Sequence, residues 1–128
     1  MNRTILSMLL LAATLATVVV AARQPSEDDE RRSAIKVLRA INTAENAARG
    51  RGGAYLPLAE LLNHPMMGGV KADFAVSGNG FKYAGAEVRV ALSADASQYV
   101  VTVVSGAPNH TAAFTEERGL IYTGKVIQ

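Results

Sequence analysis

Residues 26–50, SEDDERRSAIKVLRAINTAENAARG, set the architecture of this chain. Ser26 predicts a helix N-cap with Asp29 in the capping-box position, and the acidic first turn complements the helix dipole. Gly50 predicts the helix end. Apolar residues recur here every three or four positions, and they are Ala34, Val37, Leu38, Ile41, Ala44 and Ala48. This period predicts one α-helix whose apolar stripe packs against the rest of the domain.

Glu45 is the anomalous residue of this helix, because its carboxylate falls within the apolar stripe. A functional interpretation makes it a site carboxylate with a raised pKa, or a charge that a partner recognises. The structural interpretation makes it a carboxylate at the domain edge that accepts backbone amides or a tyrosine hydroxyl. We favour the structural one, because no second catalytic-type group is visible nearby. The spacing to Arg49 also predicts an exposed i,i+4 ion pair.

The residues after the helix predict a turn and a second, short helix. Residues 49–53, RGRGG, predict the turn. Pro57 suits the first turn of a helix that carries Leu58, Leu61 and Leu62, and Pro65 predicts its end. Residues 66–69 then predict a loose loop.

Beyond Gly69 the period changes from helical to alternating, which predicts strands. Residues 88–92 and 99–103 form a predicted hairpin around the turn at 93–97. Phe81 and Tyr83, preceded by Phe74 and Val76, predict a strand or an irregular approach to one. A further short strand begins at Ala113 and Phe114, and residues 116–119 turn the chain back into residues 120–122. The order predicts an α+β fold with the long helix laid across a small antiparallel sheet of about four strands, and the short helix between them.

The first 22 residues predict export. Arg3 gives a basic start, an apolar run follows, and Val20 and Ala22 suit the −3 and −1 positions of signal peptidase, so cleavage is expected after Ala22. Residues 23–128 then form a single domain in the periplasm or outside the cell. The alternative is that residues 5–22 stay as a membrane anchor.

Composition and motifs exclude several function classes. The chain has no cysteine, and its net charge of +2 gives no reason to expect nucleic-acid binding. His64 and His110 lie outside any metal-ligand spacing, so we predict no metal and no cofactor. Ser77 and Ser105 have no identifiable base and are interpreted as turn residues. We therefore expect no enzyme activity.

Two segments resemble a known family. LRAINTAENAARGRGGAYLPLAELL at 38–62 and GLIYTG at 119–124 resemble the C-terminal part of the helix, the following loop and the last hairpin of type IV pilins and type II secretion pseudopilins. The resemblance covers about residues 33–124 and implies a structural, non-enzymatic protein of an envelope assembly. Residues 1–22 contain no glycine, phenylalanine or glutamate, so the Gly-Phe prepilin processing site is missing and a soluble pilin-like head is implied.

Three functions follow as hypotheses. The first is an exported pilin-like interaction protein whose protein partners belong to an envelope or secretion assembly. The second is a free periplasmic or secreted binding module that recognises a partner by edge-strand or helix-end contact. The third is a small hydrolase with Glu45 as its base, and it is the weakest, because one carboxylate supplies only one role. Membrane contact is expected only if residues 5–22 are retained.

Overall fold

The computed structural model describes residues 26–70, 78–107 and 110–126, so the predicted signal segment and residues 74, 76 and 77 lie outside it. The fold is α+β. The elements are α1 Glu27–Gly52, α2 Leu58–Leu62, a 3-10 turn at Pro65–Met67, β1 Gly80–Tyr83, β2 Ala86–Leu92, β3 Tyr99–Ser105, β4 Thr111–Glu116 and β5 Ile121–Lys125. In the described ranges, no helix combines the length and the apolar character needed to cross a membrane.

Helix α1 begins where the sequence predicts and ends later than expected. The Ser26 hydroxyl accepts from the Asp29 backbone N–H at 3.2 Å and caps the first turn. The predicted end at Gly50, and the turn at 49–53, are wrong. The helical hydrogen bonds continue to Gly52, and Gly53, with φ +76°, ends the helix by donating its N–H to the Arg49 carbonyl at 2.8 Å. Glycine alone adopts that left-handed conformation without steric cost.

Among the described residues, the sheet is an antiparallel meander of five strands in the order β1-β2-β3-β4-β5. The prediction of about four strands was one short, because Phe81 pairs in register with Val88 and makes β1 a full edge strand. Residues alternate between two faces, and the inner face packs on the α1 stripe. Its buried side chains include Phe81, Val88, Val90, Tyr99, Val101, Val103 and Ala113.

The segment between α1 and the sheet closes one end of the core. Helix α2 lies where predicted, and Leu58 and Leu61 are buried. The predicted loose loop at 66–69 is wrong in part, because Pro65–Met67 forms a 3-10 turn and buries Met67. The His64 side chain caps that turn, since its Nδ1 accepts from the Met66 backbone N–H at 3.2 Å. Burial of the Met67 side chain thus accompanies an ordered turn in a segment for which the sequence predicted only a loose loop.

Candidate functional site

Glu45 is fully buried, and one of its oxygens holds the loop that follows α1. Its Oε2 accepts a 2.6 Å hydrogen bond from the Leu56 backbone N–H. Its Oε1 is buried without a hydrogen-bond partner among the described residues. Burial raises the Glu45 pKa to about 6, against the lowering effect of the Leu56 hydrogen bond. The exposed ion pair predicted with Arg49 is wrong, because Arg49 instead donates to the Tyr55 hydroxyl at 2.8 Å.

A polar network next to Glu45 joins α1 to the sheet. The Tyr99 hydroxyl donates to Asn42 Oδ1 at 2.6 Å, and Asn42 Nδ2 donates to Thr115 Oγ1 at 2.9 Å. Thr115 is fully buried and donates in turn to the Leu120 carbonyl at 2.7 Å. Burial raises the pKa of Tyr99 well above its usual range, so its hydroxyl stays a donor. Side-chain hydrogen bonds therefore join α1 to both β3 and β4.

A second carboxylate, Glu30, ties the other end of α1 to the sheet. Its Oε1 accepts from Ser105 Oγ at 2.9 Å, and its Oε2 lies 2.8 Å from His110 Nδ1. The Thr111 backbone N–H also bonds this carboxylate. Burial by itself would raise the Glu30 pKa, but the hydrogen bonds from His110, Ser105 and Thr111 outweigh it and the pKa is lowered. We call Glu30, Ser105 and His110 the Glu30 cluster.

The Glu30 cluster borders a cavity of about 460 Å³ whose walls include Ser33, Tyr83 and Gly85. It contains a serine, a histidine and a carboxylate, but their connections do not match a nucleophile with its base. Ser105 donates to the carboxylate, whereas a serine nucleophile needs a base that accepts its proton. Glu30 is a poor base because its pKa is lowered. The arrangement stabilises the helix–sheet contact and is not set up for acyl transfer.

The outer face of the sheet carries a row of exposed apolar side chains on β3, β4 and β5. We call them the outer apolar strip, and they are Val100, Val104, Phe114 and Tyr122, exposed by 44%, 42%, 45% and 39%. The register places Phe114 opposite Tyr122, and their rings stack at 4.6 Å with 16° between the planes. The half of this face on β1 and β2 is charged instead, with Lys82, Glu87 and Arg89 exposed. Two halves of one face thus differ in chemistry.

Sequence reasoning singled out Glu45 and missed the Glu30 cluster. Glu30 is one of four acidic residues in the first turn, and nothing in its spacing separates it from its exposed neighbours. Its partner Ser105 was interpreted as a turn residue, yet it ends β3 and contacts a residue 75 positions away. Within the described ranges, no group of three or more metal-ligating side chains is present.

Comparison of the chain with family models, curated proteins and solved structures gives no match to any of them. The likeness of residues 38–62 and 119–124 to pilins and pseudopilins stays a prediction.

Proposed function

We propose that this protein is an exported, non-enzymatic, pilin-like interaction protein that works within an envelope assembly of the type II secretion or type IV pilus kind. One observation carries the interaction role. The outer apolar strip leaves Val100, Val104, Phe114 and Tyr122 exposed on neighbouring strands. Clustered apolar surface of this kind on a small domain marks a protein contact site.

The strip has the composition of a protein interface. Two of its four side chains are the stacked aromatic rings of Phe114 and Tyr122, and aromatic side chains contribute much of the binding energy at interfaces. Charged residues stay at its borders, with Arg89 on β2 and Glu116 at the end of β4. An apolar centre with a polar rim is the usual arrangement of a specific contact.

The architecture supports the pilin-like part of the proposal. A 26-residue helix buries its middle part, from Ala34 to Glu45, and packs on an antiparallel meander, which is the kind of arrangement that the resemblance implies. Export rests on the apolar residues 5–20 and the Val20–Ala22 cleavage pattern. The Glu30 cluster and Glu45 supply internal ties, which agrees with a non-enzymatic role.

A free periplasmic or secreted binding module is the second candidate, and the open edge of β5 favours it. β5 pairs with β4 on one side, and no described strand pairs with the other side. Exposed strand edges accept an added strand through backbone hydrogen bonds. This candidate predicts a single soluble partner in place of an envelope complex.

Photocross-linking in the native host separates the two candidates. A benzophenone amino acid replaces Val104 on the outer apolar strip, and a matched control replaces Glu60, which is exposed on α2. We expect discrete adducts from position 104 alone, with an envelope assembly component as the product that supports the first candidate. A soluble partner supports the second. Equal labelling at both positions, or none at position 104, contradicts an interaction role for this surface.

The amino terminus of the protein isolated from the host tests export. A chain that starts at Arg23 supports the cleaved form, whereas a retained apolar terminus indicates an anchor. A chain found with its terminus intact in the cytosol contradicts export.

A further inference from the structure

We propose that a second copy of this chain binds at the β5 edge, joining the two sheets antiparallel about a twofold axis through Thr123. The inference goes beyond the proposed function, because it assigns the open β5 edge to a second copy and draws only Tyr122 and the surroundings of Val104 from the outer apolar strip. The occupant follows from three properties of β5: which amides face outward, which side chains lie opposite each other, and where the charges fall.

The outward amides follow from the β4–β5 ladder. The Val126 N–H donates to the His110 carbonyl at 3.2 Å, so this is a hydrogen-bonded pair of the antiparallel ladder. Hydrogen-bonded and non-hydrogen-bonded pairs alternate along such a ladder. The residues whose N–H and C=O groups point to the open edge are therefore Ile121, Thr123 and Lys125.

These three residues form a pattern that is complementary to itself. In an antiparallel pairing centred on Thr123, this residue lies opposite Thr123 of the second copy, and Ile121 lies opposite Lys125 of the second copy. Each outward N–H then meets an outward C=O, which is the requirement of an isologous contact. If the pairing shifted by one residue, each outward N–H would lie opposite a residue whose own N–H and C=O groups point toward β4. The hydrogen bonds between the two copies could then not form.

The outer-face side chains fit the same register. Tyr122 lies opposite Gly124 of the second copy, at a non-hydrogen-bonded position where side chains approach most closely. A Cβ at Gly124 would meet nothing within 4 Å, and Gly124 and Ala112 line a recess of about 320 Å³ beside Val104. Tyr122 of the second copy enters this recess. Aromatic cover of a strand glycine is a recognised way of stabilising it.

The charges at the edge allow this contact. Edge lysines commonly block strand addition, but Lys125 is drawn to the helix side by its 3.0 Å ion pair with Glu27. The twofold axis brings the Lys125 end of one strand next to the turn at residues 116–119 of the second copy, where Glu117 adds a negative charge beside the Glu116–Arg118 ion pair. Like charges are kept apart, whereas a parallel pairing would align Lys125 with itself.

The size of the contact predicts a weak dimer. A five-residue ladder with two aromatic rings buries less than the roughly 1,600 Å² of a standard interface. We expect a dissociation constant on the order of 10 μM, so that dimer dominates at high micromolar concentrations.

Sedimentation equilibrium of the purified protein, with the amino terminus that it carries in its host, tests the proposal between about 1 and 200 μM. Thr123→Pro removes an outward N–H and costs no hydrogen bond to β4, so the fold is retained. We expect it to raise the dissociation constant at least tenfold. Lys82→Pro is the matched control, because Lys82 points its amide to the opposite edge of the sheet, on β1. We expect Lys82→Pro to leave the dissociation constant of the dimer unchanged.

Two further variants keep the test decisive if a proline disturbs the fold. Gly124→Val fills the recess that receives Tyr122 and is expected to weaken the dimer at least tenfold. The chain has no cysteine, so Thr123→Cys places a single thiol at the twofold axis. A short bis-maleimide should then join two chains, whereas Lys82→Cys should stay monomeric. A covalent dimer from both positions, or from Lys82→Cys alone, contradicts the assigned register.

The outcomes separate this inference from the proposed function. A protein that stays monomeric at the highest concentration, or a folded Thr123→Pro variant that still dimerises, overturns the second-copy inference. Cross-linking from Val104 to another protein would still support the proposed function in that case. A β5 dimer whose position 104 gives no adduct with any other protein supports the inference alone.

Discussion

The Glu45 carboxylate and the Leu56 backbone N–H lie 2.6 Å apart and connect the buried face of α1 to the loop that follows it. Tyr55, the neighbour of Leu56, donates its own backbone N–H to the Ala96 carbonyl at 3.0 Å. Two successive amides thus hold this loop, one to the helix and one to the β2–β3 turn. The Glu45 carboxylate lies among apolar residues of α1, and its role there is to accept a hydrogen bond from the backbone of the loop.

Glu45→Ala should destabilise the fold by about 2–4 kcal/mol, because it leaves the Leu56 N–H unpaired and opens a cavity. Glu45→Gln keeps an acceptor of the same shape, and we expect a loss below about 1 kcal/mol at pH 7. Urea unfolding followed by circular dichroism measures both. Equal losses for the two variants would contradict the acceptor role.

The raised pKa of Glu45 should make the fold less stable as the pH rises. This pKa is raised from 4.5 in the unfolded chain to about 6 in the fold. The contribution of Glu45 is therefore fully present below pH 4.5 and is lost as the pH rises through 6, by about 2 kcal/mol in total. Glu30 acts in the opposite direction, since its pKa is lowered: its contribution is present above pH 4.5 and is lost in acid. Unfolding curves between pH 3 and 8 should show the free energy of unfolding of the wild type declining from pH 4.5 to 6. We expect Glu45→Gln to lack this decline.

The Glu30 cluster should hold the first turns of α1 to the sheet. Glu30→Ala removes the acceptor of three hydrogen bonds, and we expect a loss of about 2–3 kcal/mol. Asp28→Ala is the matched control, because Asp28 is exposed in the same turn, and its loss should stay within about 0.5 kcal/mol. Hydrogen exchange should locate the effect at the Thr111 amide. An unchanged Thr111 exchange rate in Glu30→Ala would contradict the contact.

The three glycines at the end of α1 should respond differently to alanine. Gly50 and Gly52 lie in exposed helix, and an added Cβ meets nothing within 4 Å, so alanine should stabilise by about 0.5–1 kcal/mol at each. Gly53 has φ +76°, and alanine there should destabilise by about 1 kcal/mol. Thermal unfolding of the three alanine variants ranks their stabilities against the wild type. A gain for Gly53→Ala would contradict the assigned helix end.

The buried link between Asn42 and Thr115 should be cooperative. Asn42→Ala removes the acceptor of the Tyr99 hydroxyl and the amide that donates to Thr115 Oγ1, and we expect a loss of about 2–3 kcal/mol. Thr115→Val alone should cost about 1–2 kcal/mol, and the double variant should lose less than the sum of the two. A double-mutant cycle by urea unfolding measures the coupling. Strictly additive losses would contradict a shared network.

Local sequence alone determined the class of fold and most of its elements. The 3.6-residue period of Ala34 to Ala48 and the Ser26 cap depend on neighbours within one turn, so they predict α1 correctly. Period-two alternation predicts β2 and β3 for the same reason. The helix end was predicted too early, because Gly50, Gly52 and Gly53 look alike in sequence and only the observed backbone at Gly53 requires a positive φ.

Tertiary structure decided which polar side chains matter and which surface is free. Glu30 meets Ser105 and His110 only because the meander returns β3 and β4 to the start of α1, over separations of 75 and 80 residues. The outer apolar strip likewise exists only once the register aligns Phe114 with Tyr122. Hydrophobic period and capping are short-range properties that a sequence carries in itself, whereas pairing across a sheet depends on how distant segments share one core.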